Sequence, residues 1–199
     1  MIKERRKEQV LQFAREVFSE KGFYEASISD IIERAGIARG TFYLYFENKR
    51  HLFNNILDNI FEELGRRVKT IELGEGVPHP VEQLRDNISR VVTFLLSNRE
   101  ITRILLYQAE GLDDECHRRL REFYERLADR LEISLKKGVQ MGLIRKCNTH
   151  IVAHSIIGCV REVMSHVISH PDHAPDSRVL VDEILGFGLR GIFAGPALE

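Results

Sequence analysis

The sequence has no uninterrupted apolar run near the roughly 18 residues that a membrane-spanning helix needs. Its opening, MIKERRKEQV, lacks the apolar segment of a signal peptide, so the expected address is the cytoplasm. Cysteine is scarce: Cys116, Cys147 and Cys159 are the only three, an odd number without CxxC spacing. That argues against a disulfide framework and for reduced, mostly buried thiols. A P-loop, a GxGxxG after a strand, HExxH and GxSxG are all missing, and with them the common signatures of phosphate, dinucleotide, metalloprotease and hydrolase chemistry. Glu and His are scattered at helical spacings, the composition of solvated faces. Neither an enzyme nor a cofactor is expected. Strand-like alternation, internal repeats and low-complexity tracts are also lacking.

Charge of one sign is lacking too, since 29 Lys and Arg stand against 30 Asp and Glu for a net charge of −1. The distribution is uneven. Residues 1–55 carry ten basic against eight acidic side chains, and the remainder nineteen against twenty-two. This permits a basic patch near the N-terminal end without requiring one.

What is present is helical period. Hydrophobic residues make up 43% of the chain, ample for a sizeable core. Val10, Ala14, Val17 and Phe18 mark a helix over about 3–21, stopped by Gly22, a residue suited to a left-handed helix end. Ser27 with Asp30 makes a capping-box-like start for a second helix, lined by Ile28, Ile31, Ile32 and Ala35 and stopped at Gly36 after about eight residues. A third helix spans Ala38 to about Tyr45. Asn48 can cap a long fourth one carrying Leu52, Phe53, Ile56, Leu57, Ile60, Phe61, Leu64 and Val68. The stretch LGEGVPHP, 73–80, reads as a loop, and further helices are expected at about 81–97, 100–110, 113–141, 149–169 and 177–194. The fold class is therefore all-α, with about nine helices.

Two short helices joined through Gly36, with a third packed ahead of them, form the layout of a helix-turn-helix DNA reader. The stretch ARGTFYLYFENK holds four of the chain's sixteen Phe and Tyr residues between Phe42 and Phe46. Projected at 100° per residue, Ala38, Phe42 and Phe46 fall on one side, where they can close a core with Ile28, Ile32, Ile37 and Phe18. Gly40, Thr41, Tyr43 and Leu44 fall on the other, with Arg39 at the flank. Arg39 is a natural bidentate reader of guanine, and Thr41 and Leu44 can touch a thymine methyl. The hydroxyls of Tyr43 and Tyr45 can donate to phosphates. Ser27 and Ser29 stand at a helix start, where N–H groups suit a phosphate, and Lys49 can hold another by charge. Gly40 costs about 1 kcal/mol of helix propensity relative to Ala, which a close backbone approach to DNA would justify. Alternatively, Tyr43 and Leu44 pack against the fourth helix.

The run FSEKGFYEASISDIIERAGIARGTFYLYFENKRHLF, 18–53, resembles the N-terminal domain of the TetR family of bacterial repressors. It supplies Gly22-Phe23, Ser27, Ile31-Ile32, Ala35-Gly36, Gly40-Thr41, Tyr43, Phe46 and Lys49 at that family's spacing. The resemblance places Ser27, Ser29, Arg39, Gly40, Thr41, Tyr43, Leu44, Tyr45 and Lys49 at DNA-contacting positions. Leu44 departs from the pattern, which often has an aromatic residue or His there. A helix-turn-helix DNA-binding domain, 1–49, followed by a helical effector-binding and dimerisation domain, 50–199, is implied. So is a homodimer that represses from a palindromic double-stranded DNA operator, its half-sites about one or two helical turns apart. A small-molecule effector would release it.

By the same resemblance the dimer pairs helices 149–169 and 177–194. Gly186, Gly188 and Gly191 lie among Phe187, Leu189, Ile192 and Phe193, and Gly158 lies on the preceding helix, which suits close helix packing across an interface or within one subunit. An effector pocket needs an apolar wall with a few polar groups. The candidates are Phe61, Phe94, Arg103, Tyr107, Phe123, Leu127, His154 and Arg161, a mix suited to an apolar ligand with an anionic group, such as an acyl thioester. Cys147, His150 and His154, or His166, His170 and His173, have spacings that could hold a metal, but exposed histidines explain them as well and no metal site is assigned. A DNA-binding protein without a ligand, constitutive or answering to a protein partner, is the other reading.

Overall fold

A computed structural model describes residues 2–109 and 112–192. Among these it is helical without a strand, and two compact units emerge: residues 1–63 with 98–118, and residues 64–97 with 119–199.

The first unit begins with α1, Ile2–Glu25, whose inward face buries Val10, Leu11, Ala14, Val17 and Phe18. At Gly22 the backbone leaves helical geometry (φ 79, ψ 164), a conformation an L side chain would resist. The break turns the chain so that Phe23 stacks on Phe18, with centroids 5.7 Å apart, and meets Phe53 edge-on at 5.0 Å. The expected stop at Gly22 is thus a kink, after which helical geometry persists to Glu25. Next, α2, Ile28–Ala35, carries a complete capping box: the Asp30 N–H donates to Ser27 Oγ at 3.1 Å, and the Ser27 N–H donates to Asp30 Oδ2 at 2.8 Å. Gly36 closes it in the left-handed conformation (φ 61, ψ 39), its N–H bonding the Glu33 carbonyl at 3.1 Å.

The following helix, α3, spans Arg39–Tyr43, shorter than the expected Ala38–Tyr45. Ala38 is its extended N-cap, so it stands outside the helix and is exposed rather than in the core. At the other end the Tyr45 N–H reaches back only three residues, to the Phe42 carbonyl at 3.0 Å, so the helix closes in a tight turn. Phe42 and Phe46 are buried, and the buried side of α2 is Ile31 and Ala35, with Ile28 and Ile32 only half-buried. Long α4, Lys49–Arg67, starts where Asn48 Oδ1 accepts the His51 N–H at 2.8 Å, and it buries Leu52, Phe53, Ile56, Leu57 and Ile60. Fully burying such a side chain is worth about 1.5–3 kcal/mol, so this face anchors the unit. Short α6, Arg99–Arg103, packs on α1 and continues as a π-helical turn, Ile104–Gln108, where a single helix to 110 was expected. Residue 110 lies outside the described residues.

The second unit holds α5, Pro80–Ser97, most of α7, Asp114–Gln140, then α8, Thr149–Ser169, and α9, Ser177–Ile192, with a 3-10 turn at Pro171–His173. These bounds fall within about two residues of the expected ones; Phe193 and the expected helix end at 194 lie outside the described residues. The buried amide of Asn87 secures the chain after α4 by accepting the Lys69 N–H at 2.9 Å and donating to the Lys69 carbonyl at 2.8 Å. Arg130 caps the end of α4 through the Gly65 carbonyl at 2.7 Å. Ala128 and Leu135 of α7 pack with Ala153 of α8, and Leu131, Ile144 and Ile156 surround them.

Candidate functional site

Among the described residues, the outward side of α3 is left open. Arg39 and Gly40 are exposed, Tyr43 retains 46% and Leu44 72% of its accessible surface, and Thr41 and Tyr45 are half-buried. Directly behind them Phe42 is fully buried and meets the Phe46 ring at 5.7 Å, so the exposed residues ride on an aromatic platform. The Arg39 guanidinium lies 6.0 Å from the Tyr43 ring centroid, which holds it on the same side. A Cβ built on Gly40 would meet nothing within 4 Å. The fold therefore does not require glycine there.

Two cations of α1 and α2 are engaged within the protein. Arg34 of α2 grips Glu20 through two hydrogen bonds of 2.7 and 2.8 Å. Lys21 Nζ lies 2.8 Å from Asp30 Oδ1. That contact, together with the Ser27 N–H and hydroxyl, holds the Asp30 carboxyl well below the usual carboxylate range. Among the described ion pairs of α2 and α3, Arg39 has none. The outward side of α3 thus presents the Arg39 guanidinium, hydroxyls and an aliphatic tip, which are base-edge chemistry.

Two residues expected to touch phosphate are otherwise occupied. The Ser27 hydroxyl donates to Asp30 Oδ2 at 2.8 Å while accepting the Asp30 N–H, so it serves as a cap. Ser29, exposed one position into α2, has no hydrogen bond among those described and remains suited to a phosphate. Lys49 departs further from expectation. Its ammonium donates to three carbonyls, Phe23 at 2.6 Å, Ala26 at 2.7 Å and Tyr24 at 3.2 Å, and sits 4.5 Å from the Phe23 ring centroid. The carbonyls exposed by the Gly22 kink need a donor, and Lys49 supplies it from the start of α4. Its donors point inward and tie the start of α4 to the chain after the kink.

Sequence reasoning missed a second tie in this unit. Arg50 pairs with Asp113, donates to Cys116 Sγ at 3.3 Å and lies 4.8 Å from the Phe23 ring centroid. Tyr24 donates its hydroxyl to the Leu112 carbonyl at 2.5 Å. The separation of 63 to 88 residues along the chain left no local signal for these contacts.

In the second unit an apolar cavity of about 130 Å³ is lined by Ile71, Leu84, Leu131, Leu135, Ile144 and Ile156, among others. Its polar contributors, Ser134 and His79, already accept the Ile71 and Val81 N–H groups at 3.2 and 3.3 Å. None of the eight expected pocket residues lines it. Phe61, Arg103 and Tyr107 belong to the first unit, with Phe61 buried and Tyr107 46% exposed. Of the rest, Phe94 lies under the Arg67 guanidinium at 4.0 Å, Phe123 is buried, Leu127 is half-buried, His154 faces Glu125, and Arg161 lies 6.0 Å from the Tyr124 ring. Aromatic and charged types drew attention in the sequence, whereas the cavity is walled by ordinary aliphatic residues.

Apolar surface is also left open on α8 and α9. Ile151 is 60%, Val179 50% and Phe187 75% exposed. By length and composition α8 would pass for a membrane span, yet only 22% of that apolar window is buried. Gly158, Gly186 and Gly188 have nothing within 4 Å of a would-be Cβ, so packing within the chain does not demand them.

Comparison with known proteins gives two family matches: "Bacterial regulatory proteins, tetR family" over residues 10–56, and "Tetracyclin repressor-like, C-terminal domain" over residues 78–165. Together they span more than half of the chain. The uncharacterized HTH-type transcriptional regulator YvdT of Bacillus subtilis is 29% identical over 188 residues, 93% of this chain and 94% of its own length. Among solved structures, the chain superposes on NalD, the secondary repressor of the MexAB-OprM multidrug efflux pump in Pseudomonas aeruginosa, with a TM-score of 0.77 at 25% identity, covering 96% of this chain and 98% of that one. It shares the fold of the transcriptional regulator FadR from Bacillus subtilis in complex with stearoyl-CoA, with a TM-score of 0.74 at 22% identity, covering 92% and 97%.

Proposed function

We infer that this chain, which belongs to the TetR family of DNA-binding transcriptional regulators, is a homodimeric repressor of a palindromic operator, released when a small and largely apolar molecule binds. The observation that carries the reading is the outward face of α3, where Arg39, Gly40, Tyr43 and Leu44 are exposed over the buried Phe42. A rigid helix bearing a bidentate donor and an aliphatic tip suits a major groove. Arg39 reads a guanine, Thr41 and Leu44 contact thymine methyls, and Gly40 lets the backbone close on the DNA. Tyr43, Tyr45 and Ser29 donate to phosphates, with Ser27 and Lys49 holding α2 and α3 in register. In this reading residues 1–49 form the reader and residues 50–199 the effector and dimer domain, acting in the cytoplasm.

A second copy covers α8 and α9. Ile151, Val179 and Phe187 form the apolar patch, and the unhindered Gly158, Gly186 and Gly188 allow close helix approach. The effector occupies the aliphatic cavity, whose volume is near the 150 Å³ of an engineered cavity that holds benzene. A short acyl chain or comparable apolar group of that size fits the wall. Both α4 and α7 contribute residues to the two compact units, and α4, which starts directly after the reader at Lys49, is the route by which the ligand moves the readers. The ligand shifts the equilibrium only by its differential affinity for the two states.

The test is selection of bound duplexes from a random pool by the purified protein, followed by a salt series. An enriched palindrome with affinity falling steeply in salt, released by a short-chain acyl thioester, is the expected outcome. Enrichment of no sequence overturns the reader, and binding that survives every apolar ligand overturns the effector reading.

A further inference from the structure

Three side chains of the second unit serve neither the reader nor the cavity. Asn148 fixes the start of α8, its Oδ1 accepting the Ile151 N–H at 3.1 Å. From that start His150 and His154, one turn apart, share a face. Their rings meet edge-on with centroids 4.7 Å apart. Facing them from α7, Glu125 Oε2 lies 3.5 Å from His154 Nε2. One ligand atom from each of Glu125, His150 and His154 lies within 4.8 Å of the others. Seven residues, about two turns, further along α7, Glu132 brings Oε2 to 3.9 Å from His150 Nδ1. Its other oxygen is taken by Thr149 Oγ1 at 2.9 Å and Lys136 Nζ at 3.1 Å.

These separations exceed the 2.7–3.2 Å of a formed N–H···O bond, so the three groups converge without satisfying one another. A cation between them would. We propose that Glu125, His150 and His154 form a binding site for a borderline transition-metal dication, with Zn²⁺ as the reference ion, clipping the start of α8 to α7. Two imidazole nitrogens and one carboxylate oxygen match the donor set and the 2.0–2.2 Å bonds of zinc, and imidazole selects against Mg²⁺ and Ca²⁺. Water completes the coordination, because His150 is 56% exposed. Glu132 Oε2 stands on the Nδ1 side of His150, the place of a carboxylate that orients a metal-bound imidazole. The sequence had paired these histidines with Cys147, but the third ligand comes from across the helix pair. His166 and His170 meet at 4.5 Å without a third ligand among the described residues, and His170 Nδ1 is occupied by the His166 carbonyl at 3.0 Å.

Calorimetric titration of the chelator-treated full-length protein with Zn²⁺ tests the site, with visible absorption of bound Co²⁺ as a second readout. One ion per chain at micromolar affinity or tighter is expected, and no comparable binding of Mg²⁺. Glu125→Gln, His150→Gln and His154→Ala should each weaken Zn²⁺ binding about 10-fold or more and lose the four-coordinate Co²⁺ spectrum, while Cys147→Ser and His170→Ala leave both unchanged. All three ligands are more than a third exposed, so the substitutions spare the core. Binding no tighter than millimolar overturns the proposal. So does micromolar binding that survives His154→Ala or depends on Cys147.

Discussion

Replacing Lys49 with Met separates two roles that the sequence could not. Methionine keeps an unbranched stem beside Phe23 but removes the donor from the carbonyls of Phe23, Tyr24 and Ala26, bonded at 2.6, 3.2 and 2.7 Å. A hydrogen bond to a charged group contributes about 1.5–3 kcal/mol, but three sharing one ammonium do not add. The Lys side chain also surrenders up to about 2 kcal/mol of rotamer freedom when fixed, and water reaches part of the vacated site. The net loss should be about 2–3 kcal/mol, lowering the melting temperature by about 4–12 °C for a chain of this size. Because the ammonium faces the protein, the dependence of operator affinity on salt should keep its slope once the variant is compared below its melting range. Calorimetry and a salt series on one operator give the two readouts. A phosphate-bound Lys49 predicts the reverse: an unchanged melting temperature and a slope smaller by about one. That pair of results would refute the structural assignment.

Arg39→Ala should cost about 1–3 kcal/mol at one base pair and relax the preference there; equal weakening on every sequence in a binding-site selection contradicts base reading. Gly40→Ala should leave stability unchanged or raise it by up to about 1 kcal/mol, since its Cβ meets nothing within 4 Å, yet weaken operator binding; unaltered affinity removes the close-approach argument. Phe187→Glu should raise the dimer dissociation constant about 10-fold or more in sedimentation equilibrium, given about 1.5–3 kcal/mol for burying a phenyl ring; an unchanged constant places the interface elsewhere. The Asp30 carboxyl is held low by Lys21 and Ser27, so it favours the folded chain above the unfolded value near 3.9 and loses that contribution as pH falls toward the depressed folded value. Stability should therefore be level with respect to this group from pH 7 to 5 and drop below about 4, with a shallower acid drop in Asp30→Asn; an identical drop in both proteins excludes Asp30 as a source.

The reader was legible because each of its parts is local. The Ser27 and Asp30 box, the Gly36 stop and the alternation of Phe42 and Phe46 with exposed neighbours lie within a few residues of one another, and helical period resolves them. Even so, period alone put Ala38 in the core. The structure makes it an extended cap, because a helix end is decided by which N–H groups find partners, and periodicity does not reveal that. Ser27 and Lys49 illustrate the next limit. Their types suit phosphate, but their donors were claimed by Asp30 and by the carbonyls of the Gly22 kink, a competition visible only once the kink exists.

The candidate sites of the second unit were illegible for a different reason. A ligand pocket was sought among conspicuous side chains, yet a cavity is space left by packing, and its walls of Ile71, Leu84, Leu131, Leu135 and Ile156 are chemically indistinguishable from core in the sequence. The histidine cluster fails the same way from the opposite side: His150 and His154 were visible at helical spacing, but Glu125 is 25 residues from His150 and became a candidate ligand only when α7 and α8 packed. Spacing along one helix therefore nominates at most two of the ligands a metal needs. The third is a tertiary fact. The same holds for Gly158, Gly186 and Gly188, whose open surroundings in the single chain turn a compositional oddity into an argument for a second copy. Residues whose types are unexplained by their own chain's packing are the ones to assign to a partner, whether that partner is DNA at Gly40, an ion at His154 or another subunit at Phe187.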